Sequence, residues 1–259
     1  AALQNLDYDS LTYSHNIGIG FNAGNDITTG VQNTLIGGSA GDALTTGDNN
    51  TAMGYLALSS ETLGDRSVAI GNFALQNQNN TSDTDVYNVA IGYDAGNDIT
   101  TGTLNTIMGG LAGSALTTGE KNIAIGHNAL ATEDTGGRSI AIGHGALRYQ
   151  NNDASNYNTA IGYDAGTNIT TGVQNTIIGG LAGDALTTGE NNVAVGYDAG
   201  GSLTTGESNV AVGKDALLAS VDGDHNTAIG FKALEDYEDG NGNGHNTAIG
   251  SKSQLNAST

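Results

Sequence analysis

The pentapeptide N-T-A-I-G at residues 158–162 recurs with conservative changes along nearly the whole chain, and it decides the fold. Its general form is N-[T/V]-A-[I/V]-G, and we call its last residue the motif glycine. Ten of the thirteen intervals between successive motif glycines equal 17, and the others equal 21, 19 and 20. Such a fixed period predicts a repeat architecture in which each unit stacks on its neighbours. The motif glycines are Gly20, Gly37, Gly54, Gly71, Gly92, Gly109, Gly126, Gly143, Gly162, Gly179, Gly196, Gly213, Gly230 and Gly250.

Each position of the pentapeptide carries a residue type that suits a short β-strand. The residue three before the motif glycine is usually Thr, Val or Ile, as at Val68 and Val89, and the residue just before the glycine is Ile, Val or Met. Side chains alternate along a strand, so these two residues share one face and the middle residue, usually Ala, lies on the other. Asn or Ser precedes the strand, as at Asn50 and Asn122, and Asn tolerates the left-handed backbone of a corner.

The second half of each unit predicts a further strand and turn. Ala stands three residues after each motif glycine as far as Ala233, which indicates a site with room for one methyl group. An apolar residue and T-T-G follow, as at residues 99–102, and this pattern is typical of a strand followed by a turn. We therefore predict an all-β parallel β-roll, or β-solenoid, of about fourteen coils with two short strands each. Residues 1–15 form a lead-in segment and residues 16–259 the repeat domain.

The middle Ala of the pentapeptide forms a stripe that we expect to face away from the coil interior. The interior would then hold the two β-branched residues of each strand. A continuous face of methyl groups invites the close approach of another sheet, so the stripe predicts an interface between copies of the chain. The alternative is a lightly polar face that is open to solvent. The stripe consists of Ala69, Ala90, Ala124, Ala141, Ala160, Ala194, Ala211, Ala228 and Ala248.

Composition excludes several classes of function. The chain has 259 residues and a formal charge of −20, so its surface would repel nucleic-acid phosphates and anionic lipid head groups, and we expect no nucleic-acid partner and no direct membrane contact. Without cysteine it has neither disulfides nor thiolate metal sites. The first residues lack an export-signal pattern, and we expect any signal or anchor to lie outside this segment.

Catalytic motifs find little support in the sequence. Nucleophile elbows of the G-x-S-x-G type and phosphate-binding loops in the proper context are absent. Asp198 and Asp215 occupy one column of adjacent units, as a pair of sugar-cleaving carboxylates would, but Lys232 and Lys252 continue that column. We interpret the column as a surface charge ladder, and we expect no enzyme activity.

The units also repeat in groups of four. Y-D-A-G-N-D-I-T-T-G at 93–102 returns as Y-D-A-G-T-N-I-T-T-G at 163–172, four motif glycines later. This period predicts sub-blocks 16–87, 88–157 and 158–225, followed by terminal coils 226–259. The sub-blocks end in longer connections, which we call the first, second and third enlarged turns, at residues 76–87, 148–157 and 235–245.

Tyrosines lie in or beside these enlarged turns, at Tyr87, Tyr149, Tyr157 and Tyr237. A tyrosine offers a rigid ring and a hydroxyl group, and loops on a rigid scaffold are common binding surfaces. The four tyrosines are therefore candidate ligand-binding residues. The alternative is that insertions accumulate where they disturb the fold least.

Two further ligand classes have some support. Acidic Gly-Asn loops near the end of the chain offer the oxygen ligands that Ca²⁺ takes, with Asp222, Asp224, Asp236 and Asp239 as candidates, although they lack EF-hand spacing. We expect no other cofactor, and plain solvated turns are the alternative. The repeated T-T-G would suit an ice-binding face, but alternate rather than adjacent Thr residues share a strand face.

Several copies of the pentapeptide resemble a known family: S-V-A-I-G at 67–71, N-V-A-I-G at 88–92, N-I-A-I-G at 122–126, S-I-A-I-G at 139–143 and N-T-A-I-G at 158–162, 226–230 and 246–250. They are similar to the head repeat of trimeric autotransporter adhesins of the Yersinia-adhesin type, and to arrays in phage tail-fibre-like proteins. The resemblance implies a left-handed parallel β-roll, a homotrimer about a common axis with the Ala stripe as interface, and attachment to a host glycan or protein receptor.

The resemblance covers about residues 16–250, and it places the chain outside the cell, on a cell surface or on a virion or tail fibre. The sequence departs from the family in its coil period, which is mostly 17 and therefore longer than that of the usual head repeat. It also shows no recognisable neck, coiled-coil stalk or membrane anchor. Two parents therefore stay open, a bacterial adhesin and a phage or injection-machine fibre that acts mainly as a spacer.

Overall fold

A computed structural model describes residues 1–6, 13–237 and 244–254 of the chain. They belong to two compact units, Ala1–His127 and Asn128–Thr259. The strands of the first unit are β1 (Ile17–Ile19), β2 (Thr34–Ile36), β3 (Thr51–Met53), β4 (Gly64–Asp65), β5 (Val68–Ile70), β6 (Thr84–Asp85), β7 (Val89–Ile91), β8 (Thr106–Met108) and β9 (Ile123–Ile125). Those of the second are β10 (Ile140–Ile142), β11 (Thr159–Ile161), β12 (Thr176–Ile178), β13 (Val193–Val195), β14 (Val210–Val212), β15 (Thr227–Ile229) and β16 (Thr247–Ile249).

Each unit is a parallel β-solenoid built on the pentapeptide strands. In the first unit the strands lie in the order β1-β2-β3-β5-β7-β8-β9, and in the second they run from β10 to β16 in chain order. Each residue pairs with its counterpart one coil later, for example Val193 with Val210 and Ala194 with Ala211. This register confirms the prediction of an all-β parallel solenoid with one pentapeptide strand in each coil.

The T-T-G side of the coil forms less regular structure than the sequence predicts. Backbone hydrogen bonds join successive coils there, from the Thr28 N–H to the Thr45 carbonyl at 3.0 Å and from the Thr100 N–H to the Thr117 carbonyl at 2.8 Å. Among the described residues, however, only β4 and β6 form strands outside the pentapeptides, and they pair with each other. The T-T-G segment turns too sharply for a regular second strand in each coil.

The orientation that we expected for the pentapeptide strands is wrong. Their middle alanines are at most 3% exposed and face the interior of their own coils, at Ala69, Ala90, Ala124, Ala141, Ala160, Ala194, Ala211, Ala228 and Ala248. The β-branched residues on either side, such as Val68 and Ile70, point outward and are half-buried. Because its own chain covers it, the Ala stripe does not offer a surface to another copy.

The interior is narrow because several other columns already fill it. A second column of buried alanines stands three residues after the motif glycines, as at Ala74 and Ala95, and large side chains such as Ile99 and Leu116 complete the core. Interiors are close-packed, so the remaining space at the strand takes one methyl group in most coils. The β-branched residues are consequently excluded to the outside.

The asparagines that precede the strands form a buried ladder. The backbone N–H of Asn192 donates to the Oδ1 atom of Asn175 at 2.9 Å, and the Asn192 Nδ2 atom donates to the carbonyl of Gly206 at 2.8 Å. The left-handed backbone that we expected at these asparagines belongs instead to the preceding residue, for example Asn191 with φ of 59°. The asparagine side chain thus satisfies buried backbone groups at a corner whose bend lies one residue earlier.

The motif glycines close each strand where successive coils touch. Gly54 has φ of 146°, and a Cβ atom at this position would overlap the carbonyl oxygen of Gly71 one coil later. A side chain is therefore unfavourable there both for the backbone and for space. This explains why glycine ends every pentapeptide.

Candidate functional site: an outward apolar face and two enlarged turns

The outward side of the pentapeptide strands is an uncharged surface in each unit. Its two columns, three residues and one residue before each motif glycine, contain only Thr, Val, Ile and Met, and we call them the outer strand face. Several of its side chains are between 36% and 68% exposed, namely Ile17, Ile19, Met53, Met108, Ile161, Ile178, Ile229 and Ile249. Contiguous apolar surface of this kind marks an interaction site on soluble proteins.

Aromatic side chains border the outer strand face at the position after the motif glycine. They are exposed and include Phe21, Tyr55, Tyr93, Tyr163, Tyr197 and Phe231. In the first unit, the ring of Phe73 stands edge-on between Tyr55 and Tyr93, with ring centroids 5.6 and 5.8 Å apart. Sequence reasoning missed this column, although its regular place after the motif glycine was a sufficient signal.

Three of the four candidate tyrosines are exposed and one is buried. Tyr87, Tyr149 and Tyr157 are about half exposed beside the first and second enlarged turns. Tyr237 is only 2% exposed, because it stands seven residues after Gly230, in the column that Ile and Leu occupy in other coils. Tyr237 is a core residue, and its proposed role as an exposed recognition residue is wrong.

The exposed tyrosines pack against guanidinium groups. The Arg66 guanidinium lies 5.9 Å from the ring centroid of Tyr87, and that of Arg138 lies 5.8 Å from the ring of Tyr157. The Tyr87 hydroxyl donates to the Asp85 carboxylate at 3.1 Å, and Arg66 pairs with the same carboxylate. The same kind of Arg–Tyr pair therefore stands beside both turns, and in the first turn it is fixed by its own ion pair.

The calcium candidates give an incomplete site. The Asp224 Oδ1 atom accepts the backbone N–H of Glu207 at 2.7 Å, Asp222 is half-buried, and Asp236 is exposed. Asp239 lies outside the described residues. In the part of the chain that the structure describes, no group of three or more His, Cys, Asp or Glu side chains is placed to hold a metal ion. A calcium site that includes Asp239 stays a prediction.

The column of Asp198 and Asp215 has the surroundings of a charge ladder. Lys214 and Lys232 approach the Asp215 carboxylate to 3.2 and 3.9 Å. Partial burial, and then repulsion from Asp215, raise the pKa of Asp198, while Lys214 opposes this shift. The two carboxylates repel each other, and Lys214 and Lys232 offset part of this repulsion.

Buried polar side chains form the feature that sequence reasoning missed most clearly. Glu61, Gln78, Glu133 and Gln150 are fully buried, and each stands seven residues after a motif glycine, which we call the seventh position. Most other coils have an apolar residue there, for example Leu44. Aligning the coils by their motif glycines reveals these four residues, together with the buried Ser220, in a column that is otherwise Ile, Leu or Tyr among the described coils.

Glu61 accepts hydrogen bonds from two successive coils. Its Oε1 atom accepts the backbone N–H groups of Thr62 at 3.0 Å, Leu63 at 3.2 Å, Gly64 at 2.8 Å and Asn80 at 3.1 Å. Its Oε2 atom accepts the side-chain amides of Gln78 and Asn80, both at 2.9 Å. Gln78 extends this network to Ser67 at 3.0 Å and to Asn88 at 2.9 Å. We call the residues Glu61, Ser67, Gln78, Asn80 and Asn88 the Glu61 cluster.

The second unit repeats this arrangement around Glu133. The Glu133 carboxylate accepts the Gly136 N–H at 2.8 Å, the Gln150 amide at 2.9 Å and the Asn156 amide at 2.8 Å. Gln150 also donates to Ser139 at 2.9 Å. Burial raises the pKa of Glu133, although the hydrogen bonds from Gln150 and Gly136 oppose this shift. The same buried chemistry therefore stands beneath both described enlarged turns.

Comparison with known proteins leaves the family open, since no family model matches the chain and no curated protein sequence matches it. Within the described ranges, no helix has the length and apolar composition that crossing a membrane requires.

Proposed function

We propose that this chain is a structural and adhesive segment of an extracellular trimeric fibre that attaches to a host cell or surface ligand. The outer strand face carries the proposal. It presents Thr, Val, Ile and Met in every coil, without a charged residue, on a chain whose formal charge is −20. A partner must cover this face over its whole length, and it must match the regular coil period.

Another copy of the same chain satisfies both requirements. Identical chains have the same coil period, so their uncharged faces match along their length, while the acidic surfaces stay in solvent. The aromatic column beside the face adds apolar area at its border. Three copies about a common axis close such an assembly, and the resemblance to trimeric autotransporter adhesin heads supports this number.

Attachment belongs to the surface that self-association leaves uncovered. The enlarged turns present Tyr87 and Tyr157 with their paired arginines, and tyrosine rings with nearby polar groups suit glycan or protein receptors. The resemblance supports an adhesive role, and a tail-fibre segment that serves as a spacer is the second candidate. If the enlarged turns bind no ligand, the spacer role is favoured over the adhesive role.

The oligomeric state of the full chain tests the assembly. We expect sedimentation or light scattering to give a trimer, and we expect Ile91→Lys with Ile178→Lys to dissociate it, because each ammonium group would be buried in an apolar interface. Thr101→Lys with Thr188→Lys, at exposed positions of the T-T-G side, should leave the trimer intact. A monomeric wild-type chain would refute the assembly.

Binding to an array of glycans and matrix proteins tests the adhesive role. Tyr87→Ala with Tyr157→Ala should abolish binding while the trimer persists. Tyr13→Ala is the control, since this ring is exposed but lies outside both the enlarged turns and the aromatic column. An array without any bound ligand would reject the adhesive role and favour the spacer.

A further inference from the structure

Two interior positions exchange their residue types from coil to coil. We call the fourth residue after the motif glycine the fourth position. Where the fourth position is Gly, the seventh is Ile or Leu, and where the fourth is Leu, the seventh is Glu, Gln, Ser or Tyr. The first kind of pair comprises Gly24–Ile27, Gly41–Leu44, Gly96–Ile99, Gly113–Leu116, Gly166–Ile169, Gly183–Leu186 and Gly200–Leu203. The second comprises Leu58–Glu61, Leu75–Gln78, Leu130–Glu133, Leu147–Gln150, Leu217–Ser220 and Leu234–Tyr237.

This pairing of residue types follows from the limited volume of the core. A Cβ atom at Gly41 would lie 2.9 Å from the Leu44 Cδ1 atom, and one at Gly113 would lie 2.9 Å from the Leu116 Cδ1 atom. Ile or Leu at the seventh position is therefore paired with Gly at the fourth, and among the described coils only that of Leu234 and Tyr237 holds a large hydrophobic core side chain at both positions. In the other kind of coil, Leu58 is fully buried and supplies the apolar volume from the fourth position. The seventh position is then free to hold a polar group.

The backbone at these leucines is left-handed, so Leu replaces Gly at the fourth position at a steric cost. Leu58 has φ of 54° and Leu130 has φ of 51°, in the left-handed region that bulky residues rarely adopt. Glycine occupies this conformation without steric cost in the apolar coils. Other leucines have the same backbone in apolar coils, for example Leu111 with φ of 59° and Leu181 with φ of 58°, so the conformation belongs to the coil and does not by itself mark the polar residue.

The enlarged turns occur next to these polar residues. The intervals from Gly71 to Gly92 and from Gly143 to Gly162 both exceed the regular coil period. Glu61 binds N–H groups of the turn in its own coil and the Asn80 backbone and side-chain amide in the first enlarged turn. The strand pair β4–β6 joins the same two segments. One buried carboxylate thus ties the enlarged turn to the coil before it.

We propose that Glu61 and Glu133 are positioning residues that hold the first and second enlarged turns in one conformation, in space that Leu58 and Leu130 leave free. A charged acceptor is suited to this task because it takes several N–H donors at once, as Glu61 does with donors from two coils. The order of the turns does not depend on the proposed function. Only the further step, that ordered turns present Tyr87 and Tyr157 to a receptor, rests on it.

The decisive variant gives the coil of Leu58 and Glu61 the residues that the preceding coil has at the fourth and seventh positions. Leu58→Gly with Glu61→Leu reproduces Gly41 and Leu44, so the core stays filled, while the buried donors of Gln78 and Asn80 lose their acceptor and the thermal midpoint should fall. Without the carboxylate, amide hydrogen exchange in the first enlarged turn of the full chain should become at least about tenfold faster. The second enlarged turn, around the unchanged Glu133, is the control within the same molecule.

Unchanged exchange in the first enlarged turn of this double variant would overturn the proposal. If the double variant does not fold, Glu61→Gln decides instead, since it keeps the size but turns an amide donor toward the Gln78 and Asn80 amides or the backbone N–H groups. Faster exchange confined to the first enlarged turn supports the proposal, and exchange equal to wild type refutes it. Hydrogen exchange on either variant requires no receptor and no trimer, so its outcome is independent of the adhesive role.

Discussion

Two adjacent coils of the first unit solve the same packing problem in opposite ways. The coil of Gly41 and Leu44 has a small residue in the left-handed backbone and a large one at the seventh position. The coil of Leu58 and Glu61 has the large residue in the left-handed backbone and a carboxylate at the seventh position. The comparison teaches that these solenoid coils accept a buried charge when its donors and its compensating leucine come together.

The largest expected effect comes from placing a charge in the coil that lacks these partners. Leu44→Glu buries a carboxylate without the side-chain amides that Gln78 and Asn80 provide to Glu61, and Gly41 supplies no apolar volume, so the free energy of unfolding should fall by about 3–5 kcal/mol. Thermal or urea unfolding followed by circular dichroism measures this loss. Thr46→Glu, at an exposed position of the same coil, is the control. Equal stability of the two variants would contradict the account.

Overfilling the same coil should have the next largest effect. Gly41→Leu puts a Cβ atom 2.8 Å from the Leu35 Cδ2 atom and 2.9 Å from the Leu44 Cδ1 atom, so it should destabilise the chain by about 1–3 kcal/mol. Adding Leu44→Ala should recover part of this loss by making room for the new side chain. Urea unfolding of both variants tests whether the fourth and seventh positions share one space in the core. A double variant less stable than either single variant would contradict this.

Removing one donor from the polar coil should have a smaller effect. Asn80→Ala deletes the side-chain hydrogen bond to the Glu61 Oε2 atom at 2.9 Å but keeps the backbone N–H, so we expect a loss of about 1–2 kcal/mol. Asn79→Ala is the neighbouring control, because Asn79 is exposed and its side chain bonds only at the surface. A loss no greater than that of Asn79→Ala would show that Glu61 does not depend on this donor.

The smallest expected effect is a change with pH in the second unit. Burial raises the pKa of Glu133 above its ordinary value of 4.5, so the folded chain binds this proton more tightly than the unfolded chain. The stabilisation is present below 4.5 and is lost as the pH rises through the raised pKa. The wild-type chain should therefore gain stability relative to Glu133→Gln as the pH falls from about 7 toward 4.5. A difference that is constant or of opposite sign would reject this assignment.

The sequence predicts the coil period and the parallel register because the motif glycines repeat in phase. It does not predict which strand face is internal, since alternation separates Val68 from Ala69 without saying which lies inside. β-Branched residues are usually buried, but the Asn ladder and the seventh position already fill this narrow interior. Tyr237 was misplaced for a related reason, because its aromatic side chain and neighbouring loop suggested exposure while its distance from Gly230 places it in the core.

The buried carboxylates were within reach of sequence reasoning but were missed. Glu61 follows T-T-G-containing coils in which Ile27 and Leu44 occupy the same column, and Leu58 stands where those coils have glycine. Comparing columns rather than motifs would have found the pair. The hydrogen bonds from Asn80 were not predictable, because the path of the first enlarged turn is not encoded by a period.

The register of one coil on the next also makes the number of coils adjustable. Val193 pairs with Val210 and Thr176 with Val193, so a chain without residues 193–209 would bring Val210 onto Thr176 with its columns unbroken. Deletion or duplication of such a segment would remove or add a whole coil without disturbing the pairing of the others. The length of the solenoid can therefore change by whole coils while each remaining coil keeps its contacts with its neighbours.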